Sequence, residues 1–196
     1  MKKHQLSLIL LGTALSLAAM SSASAAVYSF SGLGLVIPDS GAAIPSIISV
    51  SGIPLSESVV EVTVSMAGVF HTWSSDIRGS VTSPLAEVVT LWNFPGDDED
   101  AVGSNWLFSD AAAVGLGNIS QSGTFLPITG PALATFNSDN PNGNWTLNVF
   151  DQAGGDQGSI ASWTLNITTI PEPAGAAFAG LVGLGSLVRR RRPATR

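Results

Sequence analysis

The stretch NWTLNVFDQAGGDQGSIASWTLNI, residues 144–167, contains the tetrapeptide Trp-Thr-Leu-Asn twice. In and after each copy, apolar residues alternate with polar ones; the apolar members are Trp145, Leu147, Val149, Trp163, Leu165 and Ile167. Alternation with a period of two is typical of a strand that buries one face. A linker rich in Gly, Asp and Gln separates the two copies. The stretch therefore predicts two half-buried strands.

Two strands of matching face, joined by a short polar linker, most simply form an antiparallel pair whose loop stays in water. They would be neighbouring walls of one core. The alternative is that the repetition is a coincidence between two unrelated strands.

Short strands are also predicted elsewhere in the chain. Val60, Val62, Val64 and Met66 alternate with polar residues, and further apolar runs occur at 47–50 and 88–92. Gly, Pro, Asn and Asp separate these runs, and no segment shows a sustained helical period. Residues 109–117 could form a helical turn or a loop. Many short strands with turn signals predict an all-β sandwich or jelly roll.

The N-terminal residues 1–25 have the organisation of an export signal. Lys2 and Lys3 precede an apolar run, residues 6–19, and Ala23-Ser24-Ala25 forms a small-residue cleavage site. An uncleaved anchor is the alternative, but the run is shorter than the ~20 residues that a spanning helix needs. We expect the Sec machinery to export the chain and cleavage to follow Ala25.

The C-terminal residues 171–196 have three parts. The motif Pro171, Glu172, Pro173 precedes a glycine-rich apolar run, residues 174–188, which is predicted to form a short hydrophobic helix. A cluster of arginines follows, and such a cluster stays on the cytoplasmic side of a membrane; its members are Arg189, Arg190, Arg191 and Arg192.

This tail resembles the PEP-CTERM sorting signal of Gram-negative bacteria. The resemblance implies that an exosortase recognises and cleaves the tail after transient anchoring in the inner membrane. The protein would then be released or attached outside, at the outer surface or in the extracellular matrix, in a bacterium that makes extracellular polysaccharide. The alternative is a plain C-terminal anchor that is never cut.

The charge of the central domain, residues 26–170, limits its partners. Thirteen of the fourteen acidic residues lie in it, against Arg78 as its one Lys or Arg residue. Such an anionic domain repels phosphate backbones, so nucleic acid is excluded as a partner, while cations, basic proteins and neutral sugars remain open. The chain has no cysteine, which excludes thiol nucleophiles, disulfides and thiolate metal sites.

Several motifs of the central domain, taken together, resemble the proprotein convertase P domain. The matching pieces are IPDSG (37–41), VSMAGVFHTWSSDIRGSVTSP (64–84), LFSDAA (107–112), and FNSDNPNGNW (136–145) leading into the opening stretch. The residues of the family's structural motif are His71, Thr72, Asp76, Trp145, Asp151 and Trp163.

The resemblance implies a jelly-roll sandwich of about eight strands, in which the Trp-Thr-Leu-Asn copies are the last two strands and their linker is a surface turn. The chain departs from the family pattern where Leu85, Ala86 and Glu87 follow Pro84, and in the acidic stretch PGDDEDAVGSN, residues 95–105. In convertases the P domain stabilises a neighbouring subtilisin-like catalytic domain, and no such domain fits in this chain.

His71 is the sole histidine after the signal segment, so a Ser-His-Asp triad would have to use it. A strand histidine with no nucleophile elbow nearby rarely acts as a catalytic base. We therefore expect a partly buried structural histidine, bonded to a hydroxyl group or to Asp76, and no enzymatic activity.

Calcium is the one candidate cofactor, because carboxylates gathered on loops suit hard cations outside the cell. One candidate site is the acidic run of Asp97, Asp98, Glu99 and Asp100. The other is the glycine turn between Asp151 and Asp156, with Asp110 or Asp139 as further ligands. The alternatives are a solvated acidic turn and aspartates that cap their own turn.

Three functions remain open for this chain. The first is a non-catalytic surface or matrix protein, sorted by its tail. The second is a carbohydrate-binding module, in which Trp73, Trp92 or Trp106 would stack on sugar rings of an extracellular polysaccharide, with Trp106 placed near an exposed edge. The third is an accessory domain that acts in trans with a subtilisin-like protease.

Overall fold

The computed structural model describes residues 24–96, 98–128 and 132–172, without the side chain of residue 74. This part of the chain forms ten strands and two short 3-10 helices, Ser74–Asp76 and Leu133–Phe136, and no α-helix. The strands are β1 (Ala26–Ile37), β2 (Gly41–Ala42), β3 (Ser46–Val50), β4 (Glu57–His71), β5 (Ile77–Thr82), β6 (Val88–Asn93), β7 (Ala101–Phe108), β8 (Gly123–Phe125), β9 (Gly143–Asp151) and β10 (Gly158–Pro171).

The strands form two sheets packed as a sandwich. The first sheet has the order β1-β10-β4-β7-β8, and the second has the order β2-β9-β5-β6, with β3 also paired to β9. The described pairs are antiparallel except β7 with β8. The prediction of an all-β sandwich is confirmed. The strand count exceeds about eight because very short strands such as β2 and β8 are included.

The two Trp-Thr-Leu-Asn copies do not form a hairpin, so the predicted antiparallel pair is wrong. The first copy lies in β9 of the second sheet, between β5 and the β2 and β3 strands, and the second lies in β10 of the first sheet, between β1 and β4. The linker, residues 152–157, therefore crosses from one sheet to the other. The alternating apolar residues of both copies do face the core, with Trp145 and Trp163 each 1 % exposed. The repeat builds opposite walls of one core.

The tryptophan of β10 also binds across the sandwich. Its Nε1–H donates to the Ser46 hydroxyl oxygen over 2.9 Å, and Ser46 belongs to β3 of the other sheet. The hydroxyl in turn donates to the carbonyl of Leu33. A buried indole N–H needs such a partner, because leaving it unpaired would cost free energy.

Strand β4 contains a bulge that changes the predicted alternation. Val59, Val62, Val64 and Met66 are buried, whereas Val60 is 38 % exposed. The pairing with β10 shifts register at this point, since Glu61 pairs with Thr168 and Val59 with Thr169. A bulge inserts one residue into a strand and turns its side chain away from the regular face.

The large aromatic residues pack in the core around a glycine. Trp92, Trp106, Phe108 and Phe125 form one cluster, with the Trp92 and Trp106 ring centroids 5.2 Å apart. The Trp92 ring lies directly over Gly79, where an added Cβ would come within 2.0 Å of the ring. Glycine at position 79 is therefore required for this packing.

Candidate functional site

A buried histidine–aspartate pair connects the two sheets at one end of the sandwich. His71 is the last residue of β4 and Asp151 the last residue of β9, so they belong to different sheets. His71 Nε2 lies 3.0 Å from Asp151 Oδ2, and both side chains are fully buried. The prediction of a partly buried histidine bonded to a hydroxyl or to Asp76 is wrong in its details: the burial is complete and the partner is Asp151.

All polar atoms of this pair have partners. His71 Nδ1 lies 3.1 Å from the backbone N of Trp73 and 2.8 Å from its carbonyl O. The other oxygen of Asp151 accepts the backbone N–H of Ala153 over 3.0 Å. Gly158 makes room for the ring, because a Cβ there would come within 2.7 Å of His71 Cδ2. A ring that is enclosed and bonded at both nitrogens has no free position for a substrate proton.

Two further carboxylates surround this pair. Asp76 is the last residue of the first 3-10 helix and is buried, and the Thr72 hydroxyl donates to Asp156 Oδ1. Burial, and then the charges of Asp151 and Asp156, raise the pKa of Asp76, while His71 acts in the opposite direction. The structure therefore brings together five residues singled out in the sequence. They are His71, Thr72, Asp76, Asp151 and Asp156.

The two predicted calcium loops differ in the structure. Asp98, Glu99 and Asp100 are exposed, and Asp97 lies outside the described residues. At the glycine turn, Asp151 uses its carboxylate for His71 and Ala153, so a cation there would have to replace existing bonds. Within the described ranges, no group of three or more His, Asp or Glu side chains is arranged to hold a metal ion. Calcium at the acidic run stays a prediction.

The two aspartates proposed as additional ligands have other roles. Asp110 accepts the backbone N–H groups of Leu133 and Ala134, over 3.1 and 2.7 Å, at the start of the second 3-10 helix. Asp139 instead lies against Glu87. Neither residue joins the glycine turn.

Glu87 and Asp139 form a pair of carboxyl groups at the surface. Glu87 Oε2 and Asp139 Oδ2 are buried atoms without a hydrogen-bond partner, although each residue is partly exposed. The adjacent Asp139 carboxyl group, then burial and the charge of Asp139, raise the pKa of Glu87; the Ser83 hydroxyl lowers it. Two carboxyl groups in contact cannot both ionise freely, because like charges repel.

The Glu87→Gln variant is therefore expected to melt at a higher temperature than the wild type at pH 7–8, by roughly 1–3 °C. A raised folded pKa stabilises the fold below the ordinary value of 4.5, and this contribution is lost as pH rises through the folded pKa. A glutamine stays neutral and can donate to Asp139 at every pH. The measurement is a series of melting curves between pH 3.5 and 8, with Glu61→Gln as the charge-matched control. Parallel curves for the wild type and Glu87→Gln would contradict the paired-carboxyl interpretation.

The predicted sugar-binding tryptophans are mostly in the core. Trp92 and Trp106 are 0 % and 1 % exposed, and Trp106 Nε1–H donates to the Gln121 carbonyl over 2.9 Å. The prediction of an exposed Trp106 is thus wrong, because its position in β7 points into the sandwich. Trp73 is the exposed one, at 41 %.

The terminal segments lie largely outside the described residues. Residues 1–23 of the predicted signal, Pro173 and the cluster Arg189–Arg192 are among them. Pro171 ends β10, and Glu172 follows it at the surface. In residues 24–96, 98–128 and 132–172, no helix is long and apolar enough to cross a membrane.

Comparison with known proteins gives one family. The family model of the proprotein convertase P-domain matches residues 58–167, which contain the whole His71 cluster. A search of curated protein sequences gave no match.

Among solved structures, the chain is similar to a serine protease of Aeromonas sobria, with 13 % identity and a TM-score of 0.41. It is also similar to that protease in complex with the chaperone ORF2, with 12 % identity and a TM-score of 0.39. In both comparisons 73 % of this chain is covered, but the chain spans only 27 % of the length of the other.

Proposed function

The chain belongs to the proprotein convertase P-domain family, and we propose that it is an exported, non-catalytic P-domain module that an exosortase sorts to the outer surface or extracellular matrix of a Gram-negative bacterium. The observation that carries the non-catalytic part is the enclosure of His71, the sole histidine of the domain. The sorting part depends on the C-terminal motif.

The position of Pro171 and Glu172 supports the sorting proposal. Pro171 is the last residue of β10, and Glu172 N–H donates to the Ser56 carbonyl over 2.8 Å at the domain edge. Both residues are exposed. The last strand ends at the first residue of the motif, and the rest of the motif follows outside the sheet. A membrane enzyme can therefore reach the motif without opening the sandwich.

A second candidate function is an accessory module for a separate subtilisin-like protease. Membership of a family named for proprotein convertases favours it. The enclosed His71 is compatible with both functions, since neither requires catalysis by this chain. Copurification of a protease with the secreted protein would favour this second function.

Changing Pro171, Glu172 and Pro173 together to alanine is expected to abolish C-terminal processing in a host that expresses an exosortase. Recognition needs the motif itself, so most of the altered protein would have the mass of the chain with an uncleaved C-terminal tail and would stay in the membrane fraction. The measurement is intact-protein mass spectrometry of membrane and extracellular fractions, in the host with and without its exosortase gene.

The control for this experiment is Asp100→Asn, which changes an exposed acid just before β7, at the end of the first sheet opposite Pro171, and should be processed like the wild type. Equal masses for the wild type in both hosts would disprove the exosortase proposal. The same result would leave the P-domain assignment untouched, because that assignment depends on residues 58–167.

A further inference from the structure

A cavity of about 300 Å³ lies on the outer face of the second sheet, on the side opposite the core. The lining residues that matter for binding come from β5, β6 and β9 and point outward along these strands; they are Arg78, Ser80, Thr90, Asn93, Asn148 and Phe150. We call it the Arg78 cavity. It is separate from the His71 cluster and from the C-terminal motif.

The single Lys or Arg side chain of the central domain lies in this cavity. Thirteen acidic residues and one Arg or Lys residue occur between residues 26 and 170. Among the described residues, the one contact at salt-bridge distance joins His71 to Asp151, so no described carboxylate forms a salt bridge with Arg78. An exposed guanidinium without a carboxylate partner among the described residues is suited to bind the carboxylate of a ligand through two parallel hydrogen bonds.

An aromatic ring orients the guanidinium. Arg78 Cζ lies 4.7 Å from the centroid of the Phe150 ring, and the two residues are directly paired between β5 and β9. Stacking on a ring holds the guanidinium plane while leaving its edge N–H groups free for a ligand. The cation is thus positioned by two rigid strands.

Neutral polar groups occupy the next row of the same sheet face. Ser80 pairs with Asn148 on β9 and with Thr90 on β6, so three short polar side chains lie side by side next to Arg78. The amide of Asn148 donates to Thr82 Oγ1 over 3.1 Å, which leaves its carbonyl oxygen as an acceptor. Hydroxyl groups and amides of this kind match the hydroxyl groups of a sugar ring.

We propose that the Arg78 cavity binds a uronic acid unit of an extracellular polysaccharide, with its carboxylate on Arg78 and its hydroxyl groups on Ser80, Thr90 and Asn148. One cation matches one carboxylate, and the polar row matches a ring that carries several hydroxyl groups. The net negative charge of the central domain disfavours ligands with many negative charges, such as polyphosphates and strongly acidic peptides. The proposal does not depend on sorting, because binding can be measured on the purified chain.

The test is a titration of the ¹⁵N-labelled full-length chain with three probes, followed by NMR. The probes are methyl glucuronide, methyl glucoside, which has a hydroxymethyl group in place of the carboxylate, and N-acetyl-dialanine, which has a carboxylate but no sugar. We expect saturable shifts on β5, β6 and β9 with methyl glucuronide, and at least about tenfold weaker binding of the other two.

Three variants assign the binding to these residues. Arg78→Gln is expected to weaken methyl glucuronide binding about 10- to 100-fold. Arg78→Lys keeps the charge but loses the planar fork, so it should lie between Arg78→Gln and the wild type. Ser65→Ala, on the outer face of the first sheet, is the control and should bind like the wild type. Far-UV circular dichroism checks that each variant is folded.

Four results would overturn the proposal. They are the absence of saturable shifts with methyl glucuronide, equal binding of methyl glucoside, a loss below twofold in a folded Arg78→Gln variant, and shifts confined to another face. Binding of N-acetyl-dialanine as tight as that of the glucuronide would assign the cavity to peptide carboxylates instead.

Discussion

Replacing His71 with alanine is expected to lower the free energy of unfolding by about 3–5 kcal/mol, because it leaves a fully buried carboxylate without its partner. Asp151 is 0 % exposed and lies 3.0 Å from the imidazole. In a protein interior an unpaired charge has neither water nor a counter-charge to stabilise it. The substitution also removes a contact between the two sheets, because the pair joins the ends of β4 and β9. The measurement is urea-induced unfolding at pH 7, followed by circular dichroism.

Two further variants separate charge from geometry in this pair. Asp151→Asn keeps one oxygen that can accept the Nε2–H of His71, but its NH2 group then faces the Ala153 N–H. It therefore loses one hydrogen bond without leaving a buried charge, so it should lose less stability than His71→Ala. Asp100→Asn, at an exposed carboxylate, is the control and should change stability by no more than about 0.5 kcal/mol. A loss below about 1 kcal/mol for His71→Ala would mean that Asp151 regains water when the imidazole is removed, against the burial described above.

Replacing Trp145 with alanine is the second change with a large expected effect, a loss of about 3–5 kcal/mol. The side chain is 1 % exposed and contacts Phe136 edge to face, with ring centroids 4.9 Å apart. Its Nε1–H donates to the Pro141 carbonyl over 2.8 Å, so truncation leaves both a cavity and an unpaired carbonyl. Urea unfolding measures the loss.

Trp73→Ala provides the matched control for this prediction. Trp73 is the same residue type but is 41 % exposed, so its truncation should cost about 0–1 kcal/mol. A similar loss for both variants would show that tryptophan removal acts through the unfolded chain and not through the core position of Trp145.

The candidate site could be predicted only in part. Residues near each other in the sequence, such as His71, Thr72 and Asp76, were expected together because a strand and its following turn keep them close. The pairing of His71 with Asp151 joins residues eighty positions apart, and its geometry depends on how two sheets are stacked. The contact between Glu87 and Asp139 was missed for the same reason. Arg78 carried a usable signal, since a single base among thirteen acidic residues is visible in the composition.

The sequence by itself determined the fold class and the inward face of the strands. Period-two alternation specifies which side of a strand is apolar, and burial of that side follows from the hydrophobic effect. Trp145, Trp163 and their alternating neighbours accordingly face the core.

Only the tertiary structure decided which strands are neighbours. Two strands with the same pattern can pair in one sheet or face each other across a core, and both arrangements bury the same side chains. β9 and β10 adopt the second arrangement because each has backbone partners on both edges in its own sheet. The backbone hydrogen bonds that pair two strands are the same whichever side chains the strands carry. The alternation therefore specifies a buried face but not a partner strand.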